Sequence, residues 1–332
     1  MPTSSESPLT LAPPPRPSTA EWVAILGEPK TGEGESARHG RGDAVLRVLR
    51  VHGDAPSSFR ADARHERFTV LFDGILHDCE SFAADSAALE PGLTDAARVA
   101  CAYRCWVRRR STAWPGASPS SFWDAAHDLL LVARDPVGLF PLYWTTSGRE
   151  LLVSPSPTAL VQAPGVSPAV HCAALVDYLC RRWPEVDETF LTGIHRVPPG
   201  HVLRVHHGEP RLARYWDPAP PDRVVDWIQD DELGRFDDLF TRAVERCVGT
   251  GPAGVYLSSG LDSVSVAAVA VDLSRRGETA TPCALSLLFP GTEIDETHLQ
   301  QEIAVALGTS SIRPSLRGCS YTSTCHGPCG LG

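Results

Sequence analysis

The stretch Gly254-Val-Tyr-Leu-Ser-Ser-Gly-Leu-Asp-Ser-Val-Ser-Val-Ala-Ala268 decides how the chain folds. Val255, Tyr256 and Leu257 predict a short buried strand, and Ser258 to Gly260 predict a turn of small residues. From Leu261 a helix is expected to run to about Arg276, where Gly277 stops it. Strand, small-residue turn and helix together suit an anion. Small side chains let the backbone approach a phosphate, and the first N–H groups of the helix point at it with the positive end of its dipole. Ser258, Ser259 and Ser263 add hydroxyl donors. Asp262 would repel a bare phosphate but suits one that carries a magnesium ion. No lysine sits in the turn and no Gly-Lys-Ser/Thr follows, so this is not a Walker loop. An ordinary strand-to-helix turn with a serine cap would use similar residues, and the rest of the chain separates the two.

Downstream, Pro282-Cys-Ala-Leu-Ser-Leu-Leu-Phe289 predicts a second strand, followed by a turn holding Asp295-Glu296 and a helix ending near Gly308. Upstream, Phe236, Leu239, Phe240, Ala243, Val244 and Cys247 fall on one face of a helix. Before it lies a Pro- and charge-rich connection, residues 217–230. From about Trp22 to Trp216 the pattern is short strands with two helices. Phe68-Thr-Val-Leu-Phe72 leads into the turn signal Asp73-Gly74, and a helix is expected from about Asp95 to Arg109 with Val99, Ala102, Tyr103 and Trp106 as its apolar face. Then come Leu129 to Val132, the turn Arg134-Asp-Pro-Val-Gly138, Pro141-Leu-Tyr-Trp144 and Leu151 to Ser154. Such runs predict layered antiparallel sheet.

These segments together resemble the asparagine synthetase family. The phosphate loop is similar to the Ser-Gly-Gly-x-Asp-Ser pattern of ATP pyrophosphatases, with Ser259 in place of the first glycine. Ala133-Arg-Asp-Pro-Val-Gly138 with Pro141-Leu-Tyr143, and Val197-Pro-Pro-Gly-His201 with Tyr215-Trp216, are similar to segments of the class II glutamine amidotransferase domain that precedes the ATP domain. The resemblance implies an Ntn-hydrolase-like α+β domain over residues 21–216. It implies the first part of an α/β parallel-sheet ATP pyrophosphatase domain over residues 231–310. Leu257, Ser258, Ser259, Gly260, Leu261, Asp262 and Ser263 would then bind ATP, with Asp262 on Mg2+, and Leu285 and Ser286 would contact the nucleotide from the second strand.

The departures from the family bear on the first domain. The family's glutaminase uses a cysteine directly after the initiator Met, and Pro2 follows it here; further trimming would expose Thr3, Ser4 or Ser5. Asp73, before Gly74, stands where the family has an oxyanion-binding asparagine, and a carboxylate there repels the oxyanion. Ser154-Pro155 replaces the family's Ser-Glu. Asp95 sits where a family aspartate contacts glutamine, and a helix N-cap is its expected role here. Arg47 and Arg50 are candidates for the arginine that grips the glutamine carboxylate. The first domain is therefore expected to keep its fold without hydrolysing glutamine.

Residues 1–20 are Pro- and Ser-rich and read as an extended or disordered tail. Residues 311–332 show no hydrophobic periodicity and read as an irregular tail, as from a shifted frame. The spacing of Cys319, Cys325, His326 and Cys329 matches no usual zinc site. The 332 residues, 42% of them hydrophobic, suffice for two cores, and the net charge of −10 argues against a nucleic-acid partner. Arg108-Arg-Arg110 and Arg181-Arg182 read as helix ends. No membrane span or secretory signal is visible, so the protein reads as cytoplasmic, its ten cysteines mostly free thiols.

Two functional readings follow. In one, the chain is an ATP-dependent ligase that adenylates a carboxylate for attack by an amine. The amine would come from ammonia or from the substrate, as in β-lactam synthetase and lasso peptide cyclase relatives, with a second polypeptide completing the synthetase domain. In the other, it is a truncated, silent scaffold. A free-standing glutamine hydrolase lacks a nucleophile.

Overall fold

The computed structural model describes residues 21–27, 35–39, 45–52, 57–63, 66–72, 94–100, 120–124, 127–183, 185–219, 230–249 and 251–314. Expectations for the N-terminal tail, Asp73-Gly74, the helix beyond residue 100, most of the 217–230 connection and residues 315–332 lie outside these. The chain divides into two compact units, Met1–Val224 and Val225–Gly332.

The first unit contains twelve described strands: β1 (Glu21–Gly27), β2 (Glu35–His39), β3 (Val45–His52), β4 (Ser57–Ala63), β5 (Glu66–Phe72), β6 (Ser120–Asp124), β7 (Leu129–Ala133), β8 (Tyr143–Ser147), β9 (Glu150–Ser154), β10 (His195–Arg196), β11 (His201–His206) and β12 (Glu209–Arg214). They form two six-stranded antiparallel sheets, ordered β10-β8-β9-β1-β3-β2 and β12-β11-β7-β6-β5-β4. Alternation within the strands shows how the layers stack. In β7, Leu130 and Val132 join Leu26, Trp123, Leu151 and Leu203 in a core shared by both sheets. Leu131 and Ala133 point the other way, where Val99 and Ala96 of α1 (residues 95–100) meet Phe72 and Phe122. A strand buried on both faces reads as a continuous apolar run, which is what Leu129-Leu-Leu-Val-Ala133 is. On the outer face of the first sheet, Val23, Ile25 and Leu152 pack on Ala159 and Leu160 of α2 (Pro157–Gln162). The order of layers is helix, sheet, sheet, helix.

Three helical segments are described in this unit, α3 (Cys172–Leu179) being the third, where the sequence pattern suggested two. The signal for α2 was legible. Ser156 accepts a hydrogen bond from the Ala159 N–H at 3.3 Å and Pro157 sits in the first turn, the usual pairing at a helix start. At α1 the cap is Thr94, whose Oγ1 accepts from the Ala97 N–H at 3.3 Å, and not Asp95. Asp95 lies one residue into the helix and faces Arg98 at 3.7 Å. Thr94, at the position before the helix, reaches forward to the third residue, and this places Asp95 inside the first turn and not at the cap.

The Arg134–Gly138 turn is closed by its own side chains. Buried Arg134 donates to the carbonyls of Phe140 (2.8 Å), Val197 (3.0 Å) and Gly138 (2.8 Å). The Asp135 carboxylate accepts from the N–H groups of Leu139 (2.8 Å) and Phe140 (3.1 Å), and the Tyr215 hydroxyl donates to the Arg134 carbonyl at 2.6 Å. Gly138 has φ +70, and a Cβ there would stand 2.7 Å from Pro199, so only glycine fits.

The second unit runs α4 (Asp230–Gly234), α5 (Phe236–Val248), β13 (Gly254–Tyr256), α6 (Leu261–Arg275), β14 (Cys283–Leu285), α7 (Thr297–Leu307) and β15 (Ser310–Ile312). The strands make a parallel sheet ordered β13-β14-β15, with Val255 beside Ala284 and Ala284 beside Ser311. Ser311 and Ile312, assigned from the sequence to an irregular tail, thus belong to a third strand. Ser310-Ser-Ile312 carries too little apolar pattern to be read as one; its place is set by pairing and by Thr309, whose hydroxyl donates to the Pro282 carbonyl at 2.6 Å. The strand expected over 282–289 is ladder only at Cys283–Leu285. On α5 the buried residues are Val244 and Val248, with Phe240 partly covered. Phe236, Leu239, Ala243 and Cys247 are exposed, so the buried stripe is the narrow i, i+4, i+8 row and not the broad face expected. The helix α7 ends as expected at Gly308, which takes the left-handed conformation at φ +66.

Among the described residues no helix is long and apolar enough to cross a membrane, and no group of three or more His, Cys, Asp or Glu side chains is placed to hold a metal.

Candidate functional site

The end of β13 is fixed before the loop begins. The Leu257 N–H donates to the Leu285 carbonyl at 2.8 Å, and the buried Ser286 hydroxyl donates to the Leu257 carbonyl at 3.0 Å. Ser286 itself is held by its N–H on the Ile312 carbonyl at 3.0 Å, so all three strands contribute. Leu285 and Ser286, expected to contact nucleotide, stand directly beside the loop, and Ser286 also braces it.

The loop then turns on its own serines. The Ser258 N–H donates to Ser263 Oγ at 3.2 Å, the two hydroxyls lie 2.9 Å apart, and the Gly260 N–H donates to Ser258 Oγ at 3.2 Å. Ser259, standing in place of a glycine, brings no backbone strain, since it is not among the described non-glycine residues at positive φ. Gly260 is the N-cap of α6 at φ −74, ψ 148, a conformation open to any residue. What glycine supplies there is an uncovered helix start, because no side chain caps α6.

The first intrahelical bond runs from the Val264 N–H to the Gly260 carbonyl. The N–H groups of Leu261, Asp262 and Ser263 therefore have no acceptor among the described residues. Asp262, in this first turn, is exposed, and Leu261 beside it is 85% exposed. Unpaired amide donors, one open carboxylate and no lysine or arginine between Ser258 and Ser263 fit a polyphosphate that arrives with a divalent cation.

One residue of this cluster escaped the sequence reading. The Ser259 N–H donates to Oε2 of Glu296, 37 residues further on, at 2.9 Å. Glu296 occupies the N-cap position of α7 but does not cap it. The preceding residue does that work: Asp295 Oδ1 accepts from the Thr297 N–H at 3.1 Å and from its hydroxyl at 2.5 Å. These bonds hold the Asp295 carboxyl below the usual carboxylate range. The signal was a residue too long for a cap, next to one that suits it.

Of the residues proposed for a glutamine site, Asp73 and Gly74 lie outside the described residues. Asp95 starts α1, and Arg47 and Arg50 lie on β3 with their side chains outside the description.

Residues 64–216 match the model of a glutamine amidotransferase domain, and residues 235–316 match that of asparagine synthase. The chain belongs to the asparagine synthetase family. Among curated members of that family it is 30% identical to amidase chyE of Penicillium rubens over 236 residues, 69% of this chain and 34% of the relative. It is 30% identical to amidase chry2 of Gibberella zeae over 200 residues, 56% of this chain and 29% of that relative. With asparagine synthetase [glutamine-hydrolyzing] 3 of Bacillus subtilis it shares 25% identity over 210 residues, 62% of this chain and 34% of the relative. The alignments thus span about a third of the length of these relatives. A solved glutamine phosphoribosylpyrophosphate amidotransferase from B. subtilis aligns over 89% of this chain and 59% of its own, at 13% identity and a TM-score of 0.33, too low to bear on the fold.

Proposed function

We propose that the chain carries the nucleotide-holding part of an ATP-dependent amide-forming ligase, in which a carboxylate is adenylated and an amine then attacks it. The observation that carries this reading is the start of α6, with three consecutive unpaired N–H groups and an exposed Asp262 at the end of a braced parallel strand. Residues Leu257 to Ser263 would hold the polyphosphate, Asp262 its magnesium, and Leu285 and Ser286 the nucleotide. Magnesium held by Asp262 would supply positive charge toward the pyrophosphate, and the α6 N-terminus would add to it. The names of the asparagine synthetase relatives support a ligase. The substrate is a small-molecule or peptide carboxylate, and further synthetase-domain residues, in this polypeptide or another, complete the site.

The glutamine amidotransferase domain is, in this proposal, a scaffold without hydrolysis. Asp73 stands at the oxyanion position implied by the family resemblance, and a carboxylate there opposes the charge that an oxyanion hole stabilises. The amine is then ammonia or an amino group of the substrate.

The test is exchange of labelled pyrophosphate into ATP by the purified protein against a panel of carboxylic acids, with release of glutamate from glutamine measured in parallel. Carboxylate-dependent exchange that is lost in Asp262→Asn, without glutamate release, is the expected result. Exchange that survives Asp262→Asn overturns the magnesium assignment, and failure of the protein to bind magnesium ATP in titration calorimetry overturns the nucleotide-holding reading.

A further inference from the structure

We infer that Glu296 is a built-in anion on the phosphate loop, and that it makes the loop selective for cation-loaded over metal-free polyphosphate. The inference rests on the reading of Leu257 to Ser263 as a polyphosphate site and assigns to it a residue that discriminates between forms of the ligand.

The Glu296 carboxylate does not serve its own helix. It sits at the N-cap of α7, where a side chain ordinarily turns back onto its own helix, and it makes no such bond. Asp295 and Thr297 satisfy that helix start, which leaves the glutamate free to cross to another loop. There it accepts from the Ser259 N–H at 2.9 Å, a charge-assisted bond one residue ahead of the α6 N-cap. The positive end of the α6 dipole favours a carboxylate at that place for the same reason that it favours a phosphate.

The neighbouring loop donors are also engaged, but by neutral groups. Ser258 donates to the Ser263 hydroxyl and Gly260 to the Ser258 hydroxyl. Only at Ser259 is the acceptor a charge. Any polyphosphate drawn to the helix start therefore meets two carboxylates, Asp262 in the first turn and Glu296 on the loop amide. No lysine or arginine of the loop is present to offset them. A divalent cation on the ligand turns this repulsion into attraction, and metal-free ligand keeps it. Glu296 thus acts on specificity through charge, not through contact with reacting atoms.

The experiment compares the full chain with Glu296→Gln and Glu296→Ala. Binding of inorganic pyrophosphate is measured by titration calorimetry, once with excess magnesium and once with EDTA. Glutamine keeps the length of the side chain and an oxygen acceptor for the Ser259 N–H, so it removes the charge without removing the brace. Both variants are expected to bind metal-free pyrophosphate about tenfold more tightly than the parent, equivalent to ~1.4 kcal/mol. Binding with magnesium should change by less than about threefold. If Glu296→Gln leaves metal-free binding unchanged, or weakens binding under both conditions, Glu296 is only a strut and the inference falls while the site reading stands. If the parent and both variants fail to bind pyrophosphate even with magnesium, the site reading falls and takes the inference with it.

Discussion

Two turns in this protein each carry an aspartate and a glycine just after a strand, and they end in opposite states. Arg134-Asp-Pro-Val-Gly138 in the first unit follows β7, and Ser258-Ser-Gly-Leu-Asp-Ser263 in the second follows β13. In the first, the Arg134 guanidinium spans three carbonyls, the Asp135 carboxylate takes two N–H groups, and Tyr215 closes the backbone from outside. In the second, the aspartate faces solvent and three helix N–H groups have no acceptor among the described residues. Hydrogen-bond saturation separates a turn that holds the fold together from one whose donors stay open, the turn for which we propose a polyphosphate ligand. A motif resemblance alone does not make that distinction, since both turns resemble segments of the family, the second with Ser259 in place of a glycine.

The contrast makes Arg134→Ala the most damaging substitution. It would orphan three carbonyls, at least one of them buried, and empty the space of a buried side chain, costing about 3 kcal/mol or more in a urea titration of the whole chain. A loss below about 1 kcal/mol would mean that the turn is not a lock. Asp262→Asn should do the reverse. Binding of magnesium pyrophosphate is expected to weaken at least about tenfold, ~1.4 kcal/mol, while stability stays within about 0.5 kcal/mol. Destabilisation by this substitution would break the comparison from the other side.

Tyr215→Phe sharpens it further. Losing the bond to the Arg134 carbonyl should cost about 1 kcal/mol at neutral pH. Burial, aided by Asp135, raises the Tyr215 phenol well above its ordinary range. Its contribution is then complete below pH ~10 and lost as pH rises through the raised value. The parent should therefore lose stability above pH ~10 more steeply than Tyr215→Phe, as read from thermal melts. The smallest effect is expected at Asp295, whose carboxyl is held low mainly by Thr297. What it adds is complete above the ordinary carboxylate value of ~3.9 and disappears as pH falls through the lower value held in the fold. Asp295→Asn should accordingly flatten the slope of stability between pH 5 and pH 3, at roughly one carboxyl's share.

Much of this architecture was legible in the sequence because the elements that matter are apolar and local. Leu129 to Val132 read as a strand of layered sheet, which the structure then covers on both faces, and Leu261 to Arg275 announced its end with Gly277. The loop itself was read residue by residue. What escaped depends on contacts between distant segments. Ser310-Ser-Ile312 is a strand only because β14 lies beside it. The exposed face of α5 could not be told from its buried one, since Phe236 and Leu239 are as apolar as Val244. Glu296 looked like part of a helix start, and nothing local revealed that its partner is an amide 37 residues earlier. Periodicity reports burial, whereas the reach of one long side chain from one loop to another leaves no period to read.

Ser263 has a single hydroxyl proton and three oxygens within reach: Ser258 Oγ at 2.9 Å, the Gly260 carbonyl at 3.1 Å and the Ser258 carbonyl at 3.3 Å. The proton must choose among them, and rotation about one C–O bond is enough to change the choice. Each setting leaves the lone pairs of Ser258 Oγ and of the two carbonyls differently engaged. The loop can therefore redistribute its donors and acceptors on the timescale of a bond rotor, without breaking the bond by which Ser286 holds the end of the strand.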